Sequence, residues 1–391
     1  MKLSRIVKSA IAVLSLSLVL AAPAQAVDLV GSGASFPDGL IQGCKAGFAA
    51  SSSHTYQYNV SSSGGGQADA KIGKGDFWFS DGIFTTALGK PSTMIHLPIV
   101  AGPVAIAFNL TGNNGKTLSL SADTIAGIFA GTITQWNDPA IVKDANRTVN
   151  RVTYRTKNGV VVKDASGAPV VLRKWTETIR FTLPARPIKV VYRADDSGTT
   201  ENFIKYLKGG VTTDAGWTSG KSFVTAFKGT GANIDGAANL GRYIGRQKSA
   251  GVAAEVAKTK DSITYVETSY AKDNGLRVAD VYNASGTLVS PNTPGAVGAF
   301  LGSAKAGAED GTYAFDYKTT DAGAYPISIV SYMIADTKYA NATTATAVKA
   351  LANFILSPAC ADTIGGKLGF AVITGKGKQV ADAMIAKIGS K

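Results

Sequence analysis

The sequence predicts an α/β protein built from two lobes, and three observations support this. Segments typical of strands, at 27–30 and 56–60, alternate with segments typical of helices, at 37–49 and from Gly66 to Ile72. The chain has 391 residues, 45% of them hydrophobic, and this length exceeds what one hydrophobic core usually fills. A nearly continuous apolar run from Ile95 to Asn109 is typical of a buried strand pair or of a crossover.

The first 26 residues have the layout of a cleavable signal peptide. Three basic residues precede an uncharged apolar run at 9–22, which is shorter than the ~20 residues of a membrane-spanning helix. Ala24-Gln25-Ala26 is the small-x-small pattern at which such leaders are cut, so we expect the mature protein to begin at Val27. No cysteine that could carry a lipid anchor lies near this junction. We therefore expect a soluble protein that is periplasmic or, alternatively, secreted, with its formal charge reduced from +13 to +10.

The chain has two cysteines, Cys44 and Cys360, and oxidising conditions outside the cytoplasm permit them to pair. Their spacing does not say whether the two Cβ atoms meet, so a disulfide and two buried free thiols both stay open. The two histidines, His54 and His96, do not combine with the thiols into a zinc-binding pattern, so we expect no metal site.

Three loops offer hydroxyl groups and backbone amides at expected strand-to-helix junctions: Gly31–Pro37, Ser61–Gly66 and Asp195–Thr200. The first turn of a helix presents free N–H groups at the positive end of the helix dipole, and these bind an anion without a metal. One such loop is more often only a turn. Three of them, spread over the chain, can face each other across a cleft and predict an anion site.

Two charged residues near these loops indicate which anion is bound. Arg193 can donate two hydrogen bonds to a tetrahedral oxyanion, whereas Asp81 would repel an anion unless the ligand brings a proton that the carboxylate can accept. Hydrogen phosphate carries such a proton and sulfate at neutral pH does not, so Asp81 predicts selectivity for phosphate. The structural alternatives are a salt bridge between Arg193 and Asp195, and a helix cap by Asp81 before Gly82.

Six motifs follow one another over nearly the whole mature chain: Gly31–Pro37, Ser62–Gly65, Asp76-Phe77 with Ser80-Asp81, Gly127–Gly131 with Trp136–Asp138, Arg193–Thr199, and Ile263–Glu267. In this order they resemble the phosphate-binding protein family of the bacterial high-affinity phosphate ABC transporter. The resemblance implies an α/β, two-lobed periplasmic-binding-protein fold of type II, with the ligand cleft between the lobes.

The resemblance also implies lobe boundaries. Residues 27–104 and 329–391 would form a discontinuous first lobe, and residues 105–328 the second lobe. The two hinge crossings would lie near Val104 and near Ile327 to Ile329.

The resemblance further implies ligand contacts, partners and the absence of a cofactor. Asp195 would brace Arg193. The partners would be inorganic phosphate and the membrane permease of the transporter, and no nucleic acid is expected. The protein would be a monomer that serves phosphate transport under phosphate starvation. The phosphate contacts carried over to this chain are Ser35, Phe36 through its amide, Ser62, Asp81, Arg193, Ser197, Gly198 and Thr199.

The sequence departs from the family pattern at three places. Trp78-Phe79 stand where small residues are usual, and Asp196 stands where glycine is common and is expected to be a solvated carboxylate. A basic, β-rich insertion covers about 145–187, and from 141 to 190 the net charge is +8. We expect this insertion to be a solvated edge hairpin, formed by 160–162 and 170–172 around a turn at 164–167. The alternatives are docking on an anionic surface, collecting anions, and contact with a transporter or with nucleic acid.

Two other classes of protein stay open at this stage. A secreted phosphatase-like enzyme on the same fold would use Ser35, Ser62 or Ser197 as its nucleophile, but neither histidine lies in a motif that would supply the base. A phosphate-binding adhesin or matrix protein would use the basic insertion. The binding-protein interpretation needs no catalytic residue.

Overall fold

The computed structural model describes residues 26–112, 115–157, 160–166, 168–212, 217–227, 234, 239, 241–306 and 310–391. Nearly all of the expected leader lies outside the described residues, as does Gly167 of the expected hairpin turn. No helix within these ranges has both the length and the apolar character needed to cross a membrane.

The described residues alternate between strands and helices along the chain. The strands are β1 Asp28–Gly33, β2 Thr55–Val60, β3 Phe77–Ser80, β4 Met94–Asn109, β5 Ser119–Leu120, β6 Thr148–Tyr154, β7 Thr156–Lys157, β8 Val160–Val161, β9 Val171–Thr178, β10 Lys189–Arg193, β11 Tyr243–Arg246, β12 Ser262–Glu267, β13 Arg277–Val278, β14 Asp280–Tyr282, β15 Leu288–Val289, β16 Lys305–Ala306, β17 Tyr313–Ala314, β18 Ser328–Asp336 and β19 Ala371–Val372. The α-helices are α1 Asp38–Ser52, α2 Ser63–Lys71, α3 Ala122–Ala130, α4 Pro139–Ala145, α5 Gly198–Gly210, α6 Phe223–Ala226, α7 Lys248–Lys258, α8 Thr268–Asp273, α9 Ala296–Ser303, α10 Ala342–Ile355 and α11 Gly375–Lys387.

A mixed sheet runs through the molecule in the order β11-β10-β12-β4-β18-β3-β1-β2, with β13 and β19 also paired to β4. At one end β1 pairs in parallel with β2 and β3, and at the other β10 pairs in parallel with β11 and β12. Between the two ends, β4 runs antiparallel to both β18 and β12. The predicted α/β class is confirmed.

The apolar run after Ile95 belongs to one continuous strand, β4, and not to a strand pair. Its first part, to Pro103, pairs with β18, and its second part, from Val104, pairs with β12. β4 is therefore the crossover between the two ends of the sheet. At the crossing, the amide of Val104 donates to the carbonyl of Ile327 over 2.7 Å, so the two segments that connect the ends of the sheet lie side by side.

A β-bulge interrupts the pairing of β4 with β18 beside Pro98. Ser331 lies opposite Val100, but the next residue, Tyr332, lies opposite Pro98. Proline lacks the N–H that an interior strand donates, and a bulge absorbs that missing bond. The irregularity falls at Ser331, which contacts the site described below.

A serine caps the start of both α2 and α5, two helices that begin beside the predicted anion site. The Ser62 hydroxyl accepts from the amide of Gly65 over 3.0 Å, so α2 begins at Ser63, three residues before the expected start at Gly66. The Ser197 hydroxyl accepts from the amide of Thr200 over 3.1 Å. Such caps satisfy one of the N–H groups that the first helical turn leaves free.

The main apolar cluster contains side chains from both ends of the sheet and from β4 and β18 between them. Phe79 lies in this cluster and Trp78 in a smaller one beside it, and both are buried. A disulfide joins Cys44 of α1 to Cys360, in a π-helical turn at Pro358–Gly365, with the Cα atoms 5.5 Å apart. The pairing left open by the sequence is therefore present.

The basic insertion forms a longer hairpin than expected, in which β6 pairs with β9. The expected shorter hairpin forms its distal part, where the amide of Val170 donates to the carbonyl of Val162 over 2.8 Å. β9 is largely exposed, but on β6 the guanidinium of Arg151 forms ion pairs with Asp280 and Glu177. The expectation of a fully solvated hairpin is wrong for β6, which packs against the body of the protein.

Candidate functional site

The predicted anion site lies where several parallel strands end. Asp81 directly follows β3, and Arg193 is the last residue of β10. The loops after β1 and β2 lead into α1 and α2, and the loop after β10 leads into α5. Crevices at the carboxyl ends of parallel strands are the usual ligand sites of open α/β sheets.

Asp81 is buried, and hydroxyl groups from three distant segments converge on its carboxylate. Ser331 donates to Oδ1 over 2.8 Å, while Thr199 and Ser63 donate to Oδ2 over 3.2 and 3.4 Å. The side-chain amide of Asn202 donates to the main-chain carbonyl of Asp81 over 2.6 Å. A carboxylate offers about four acceptor positions, so one position on Oδ1 is left for a further donor. The alternative that Asp81 caps a helix is wrong, because its carboxylate bonds side-chain hydroxyls.

Burial raises the pKa of Asp81 from 3.8 to about 6, against the opposing effects of the Ser331 hydroxyl and of Arg193. The carboxyl group is therefore mostly ionised at neutral pH, but it gains a proton more readily than an exposed aspartate would. It can act as a hydrogen-bond acceptor at pH 7 and loses this ability in mild acid.

Arg193 is buried and held in a fixed orientation by two partners. Its Nε and Nη2 donate to the two carboxylate oxygens of Asp195 over 2.7 and 2.5 Å, and its Nη1 donates to Ser249 over 3.2 Å. Asp195 also accepts from the amide of Lys248 over 3.0 Å. These bonds keep the pKa of Asp195 below its usual value even though burial alone would raise it. The expected salt bridge exists, and two of the five guanidinium N–H groups remain for another acceptor.

Ser35 lies close to Arg193 through a shared neighbour. The hydroxyl groups of Ser35 and Ser249 are 2.9 Å apart, and the amide of Ser249 donates to the Ser35 hydroxyl over 3.2 Å. The ring of Phe36 is fully buried, with its centroid 5.3 Å from that of Phe370. The ring is therefore not available to a ligand, and the contact through the Phe36 amide stays a prediction.

Gly198 lies at a close contact between α5 and the loop after β3. A Cβ atom at this position would lie 2.4 Å from the amide nitrogen of Gly82 and 2.5 Å from the hydroxyl oxygen of Ser63. Any side chain would push these segments apart. Glycine is needed here because the backbones approach closely, and not because of its dihedral angles.

The structure thus brings most of the predicted residues into one place. We call these residues, together with Ser63 and Ser249, the cleft cluster; its members are Ser35, Ser62, Ser63, Asp81, Arg193, Ser197, Gly198, Thr199 and Ser249. Asp81, Thr199 and Ser63 are in direct contact, Ser35 and Arg193 meet at Ser249, and the remaining members belong to the helix starts beside them. Asp196 is exposed, as expected.

Several contacts were not predicted from the sequence. Ser249 accepts a hydrogen bond from the guanidinium of Arg193, and Ser331 donates one to the carboxylate of Asp81. Asn202 of α5 donates a hydrogen bond to the loop after β3. Ser249 and Ser331 belong to segments with no anion-binding pattern. Asn202 lies just beyond the third loop, so its nearness could have been inferred, but its partner could not.

The two histidines lie in other environments. The Nδ1 atom of His54 accepts from the amide of Val27 over 3.2 Å, and the Nε2 atom of His96 accepts from the amide of Phe84 over 3.0 Å. Burial lowers the pKa of His96 to about 4. Among the residues that the structure describes, no group of three or more His, Cys, Asp or Glu could hold a metal ion.

These features define a class of protein: a two-lobed solute-binding protein whose cleft joins helix starts from both ends of one sheet. Residues 20–359 match the model of the PBP superfamily domain, and the chain belongs to this superfamily. Within it, the chain belongs to the PstS family of phosphate-binding proteins, as its curated relatives show.

Three relatives illustrate the similarity. Phosphate-binding protein PstS2 of Mycobacterium bovis is 32% identical over 78% of this chain and 72% of its own length. PstS 3 of Mycobacterium leprae is 32% identical over 80% of this chain and 72% of its own length. PstS of Pasteurella multocida is 31% identical over 68% of this chain and 64% of its own length.

Solved structures support the fold. A DING protein aligns with a TM-score of 0.62 at 20% identity, over 91% of this chain and 94% of its own. A phosphate-binding protein from Stenotrophomonas maltophilia aligns with a TM-score of 0.61 at 18% identity, over 92% and 93% of the two chains. The expected two-lobed fold is confirmed.

Proposed function

We propose that this protein captures inorganic phosphate in the cleft cluster and delivers it to an ABC transporter. The observation that carries the proposal is the pairing of unused groups in a buried site: one acceptor position on Asp81 and two N–H groups on Arg193. A singly protonated oxyanion complements this set, because it supplies one proton to the carboxylate and oxygens to the guanidinium. Phosphate fits and fully ionised sulfate does not.

The remaining donors come from the helix starts and their caps. A serine that accepts a bond from its own helix still has its hydroxyl proton to donate, which leaves Ser62 and Ser197 able to bind a ligand oxygen. The first-turn amides of Gly198 and Thr199 have no partner within their helix, and the positive dipole end of α5 favours an anion. Together with Ser35 and the amide of Phe36, these groups would replace the water around a dehydrated phosphate.

We propose the lobe boundaries expected above: residues 27–104 with 329–391, and residues 105–328, with hinges near Val104 and at 327–329. In this division, several contacts join the two lobes across the cleft. Among them are Asp81 with Asn202 and Thr199, Ser35 with Ser249, Gly64 with the carbonyl of Asp196, Gln67 with Lys221, and Val60 with Lys248. Hinge closure over phosphate would form these bonds, and the closed surface would be what the permease recognises.

The finer points of the proposal concern location, assembly and chemistry. The protein would be exported through its leader into the periplasm, act as a monomer, and bind no nucleic acid. It would not be an enzyme: in the described part of the chain, Ser35, Ser62 and Ser197 bond to other hydroxyls or amides and not to a histidine base.

Calorimetric titration of the phosphate-stripped protein, starting at Val27, tests the proposal. Phosphate should bind tightly and sulfate weakly at pH 7.5. Gly198→Ala, whose added Cβ would lie against Gly82 and Ser63, should bind phosphate much more weakly, whereas Gly298→Ala, where a Cβ meets nothing within 4 Å, should match the unaltered protein. A folded protein that binds no phosphate would refute the proposal. Hydrolysis of an aryl phosphate would indicate an enzyme instead.

A further inference from the structure

A second buried carboxyl group, Glu267, lies near the cleft cluster and has no role in the contacts described so far. It is the last residue of β12 and lies opposite Val104, where β4 crosses between the two ends of the sheet. Only 1% of its surface is exposed. Neither of its carboxyl oxygens has a hydrogen bond of full geometry within the described residues, although its own backbone amide and the Ser249 hydroxyl lie close enough to favour its ionised form.

An unpartnered buried carboxyl is rare, because burying a charge without partners costs several kcal/mol. In most such cases the group keeps its proton and remains neutral. Burial raises the pKa of Glu267 to about 8, and its own backbone amide, Arg193 and the Ser249 hydroxyl oppose this only in part. At neutral pH the protonated, uncharged form is therefore favoured.

The surrounding charges explain why neither oxygen finds a cation. Arg193, from β10, already donates two bonds to Asp195 and one to Ser249. Asp81 acts on Glu267 as a like charge. The titratable and charged groups that face Glu267 from the neighbouring elements are Arg193 at the end of β10, Asp81 after β3, and Tyr270 of α8. Arg193 is bonded in turn to Asp195, and the Tyr270 hydroxyl to Asp38 of α1.

The charge balance of the cleft then depends on Glu267. With Glu267 ionised, Arg193 would face three carboxylates, those of Asp81, Asp195 and Glu267, and the group would be a net anion. A net anionic pocket of low dielectric repels a phosphate ion. With Glu267 neutral, Arg193 faces two carboxylates instead of three, so the group is still a net anion but repels a phosphate ion less.

We propose that Glu267 is an uncharged side chain beside the phosphate site, and that phosphate binds to the form of the protein in which Glu267 holds its proton. The inference rests on the proposed function of phosphate capture. It makes Glu267 a positioning residue and not a direct ligand, because it acts through the charge of the pocket and through Arg193. Phosphate affinity should fall as Glu267 loses its proton in alkaline solution.

Glu267→Gln tests this, because glutamine has the shape of the protonated acid and does not ionise. Glu255→Gln is the matched control, since Glu255 lies on α7 and pairs with the exposed Arg246. Phosphate affinity is measured by calorimetry from pH 6.5 to 9.5 for all three proteins. Phosphate itself titrates in this range, but its titration is the same for each protein. The ratio of two proteins' affinities at one pH therefore reports only the titration of protein groups.

The expected result is a pH-dependent ratio. At pH 6.5 the unaltered protein and Glu267→Gln should bind alike. At pH 9, one pH unit above the pKa of about 8, about one molecule in eleven would carry the proton, so Glu267→Gln should bind about tenfold more tightly than the unaltered protein. Glu255→Gln should follow the unaltered protein throughout.

The outcomes separate this inference from the proposed function. If no protein binds phosphate at any pH, the proposed function fails. If all bind phosphate with the same pH profile, only the role of Glu267 is refuted. If Glu267→Gln does not fold, infrared spectroscopy of the unaltered protein provides the test. A protonated-carboxyl absorption that persists above pH 7 and disappears above pH 9 supports the inference. The absence of this absorption at pH 7 overturns the inference.

Discussion

Replacing Asp81 with asparagine tests the selectivity of the site most directly. Asparagine keeps the size of the side chain, but it exchanges a charged acceptor oxygen for an NH2 group. In the unaltered protein the carboxylate accepts from Ser331, Thr199 and Ser63 and has one further position for the proton of the ligand. A hydrogen bond to a charged group contributes about 1.5–3 kcal/mol, so its loss should weaken phosphate binding by roughly 10- to 150-fold. Sulfate binding should improve, because a repelling charge is gone.

The measurement is the ratio of phosphate to sulfate affinity by calorimetry at pH 7.5, for the unaltered protein, Asp81→Asn and Asp196→Asn. Asp196 is exposed at the edge of the cleft, so its substitution controls for the loss of one nearby charge. We expect the ratio to fall at least about tenfold for Asp81→Asn and to change little for Asp196→Asn. An unchanged ratio in Asp81→Asn would refute the reasoning that Asp81 reads the ligand proton.

The same variant has a defined pH dependence. Because burial raises the pKa of Asp81 to about 6, the advantage of the unaltered protein over Asp81→Asn should be full at pH 7.5 and should disappear as pH falls below 6. The sign for stability follows from proton uptake: a folded-state pKa above the unfolded value means that folding binds protons between about pH 4 and 6. The ligand-free protein should therefore lose stability as pH rises through this range, and Asp81→Asn should not show this loss.

Three further predictions concern the guanidinium, the disulfide and the insertion. Arg193→Lys keeps the positive charge but loses the planar guanidinium, which can bond Asp195, Ser249 and a ligand at once. Phosphate affinity, measured by calorimetry, should therefore fall at least about tenfold. Equal affinity would argue against a ligand role for Arg193. Replacing both Cys44 and Cys360 with serine should lower the free energy of unfolding in urea by about 2–5 kcal/mol without changing phosphate affinity. Arg151→Met should lower the free energy of unfolding by about 3–5 kcal/mol, because the buried carboxylate of Asp280 loses its cation. A loss below about 1 kcal/mol would show that the insertion does not need this ion pair.

The local parts of the site could be predicted because their causes are local. A serine caps the helix that begins directly after it, so Ser62 and Ser197 mark helix starts from their own neighbourhoods. The prediction at Ser62 was wrong by three residues, because the three glycines after it read as a loop. The cap and the packing of Gly66 against β1 and β3 stabilise the helix through this glycine run.

The sequence by itself determined the α/β class, the loops predicted to supply donors to an anion, and the two charged residues Asp81 and Arg193. Only the tertiary structure decided what surrounds that pair. Ser331 is 250 positions from Asp81, and the two cysteines are 316 positions apart. Such contacts leave no periodic or local pattern, because they depend on how β4 crosses the sheet and brings distant strand ends together. The raised pKa of Glu267 belongs to the same category, since it results from burial.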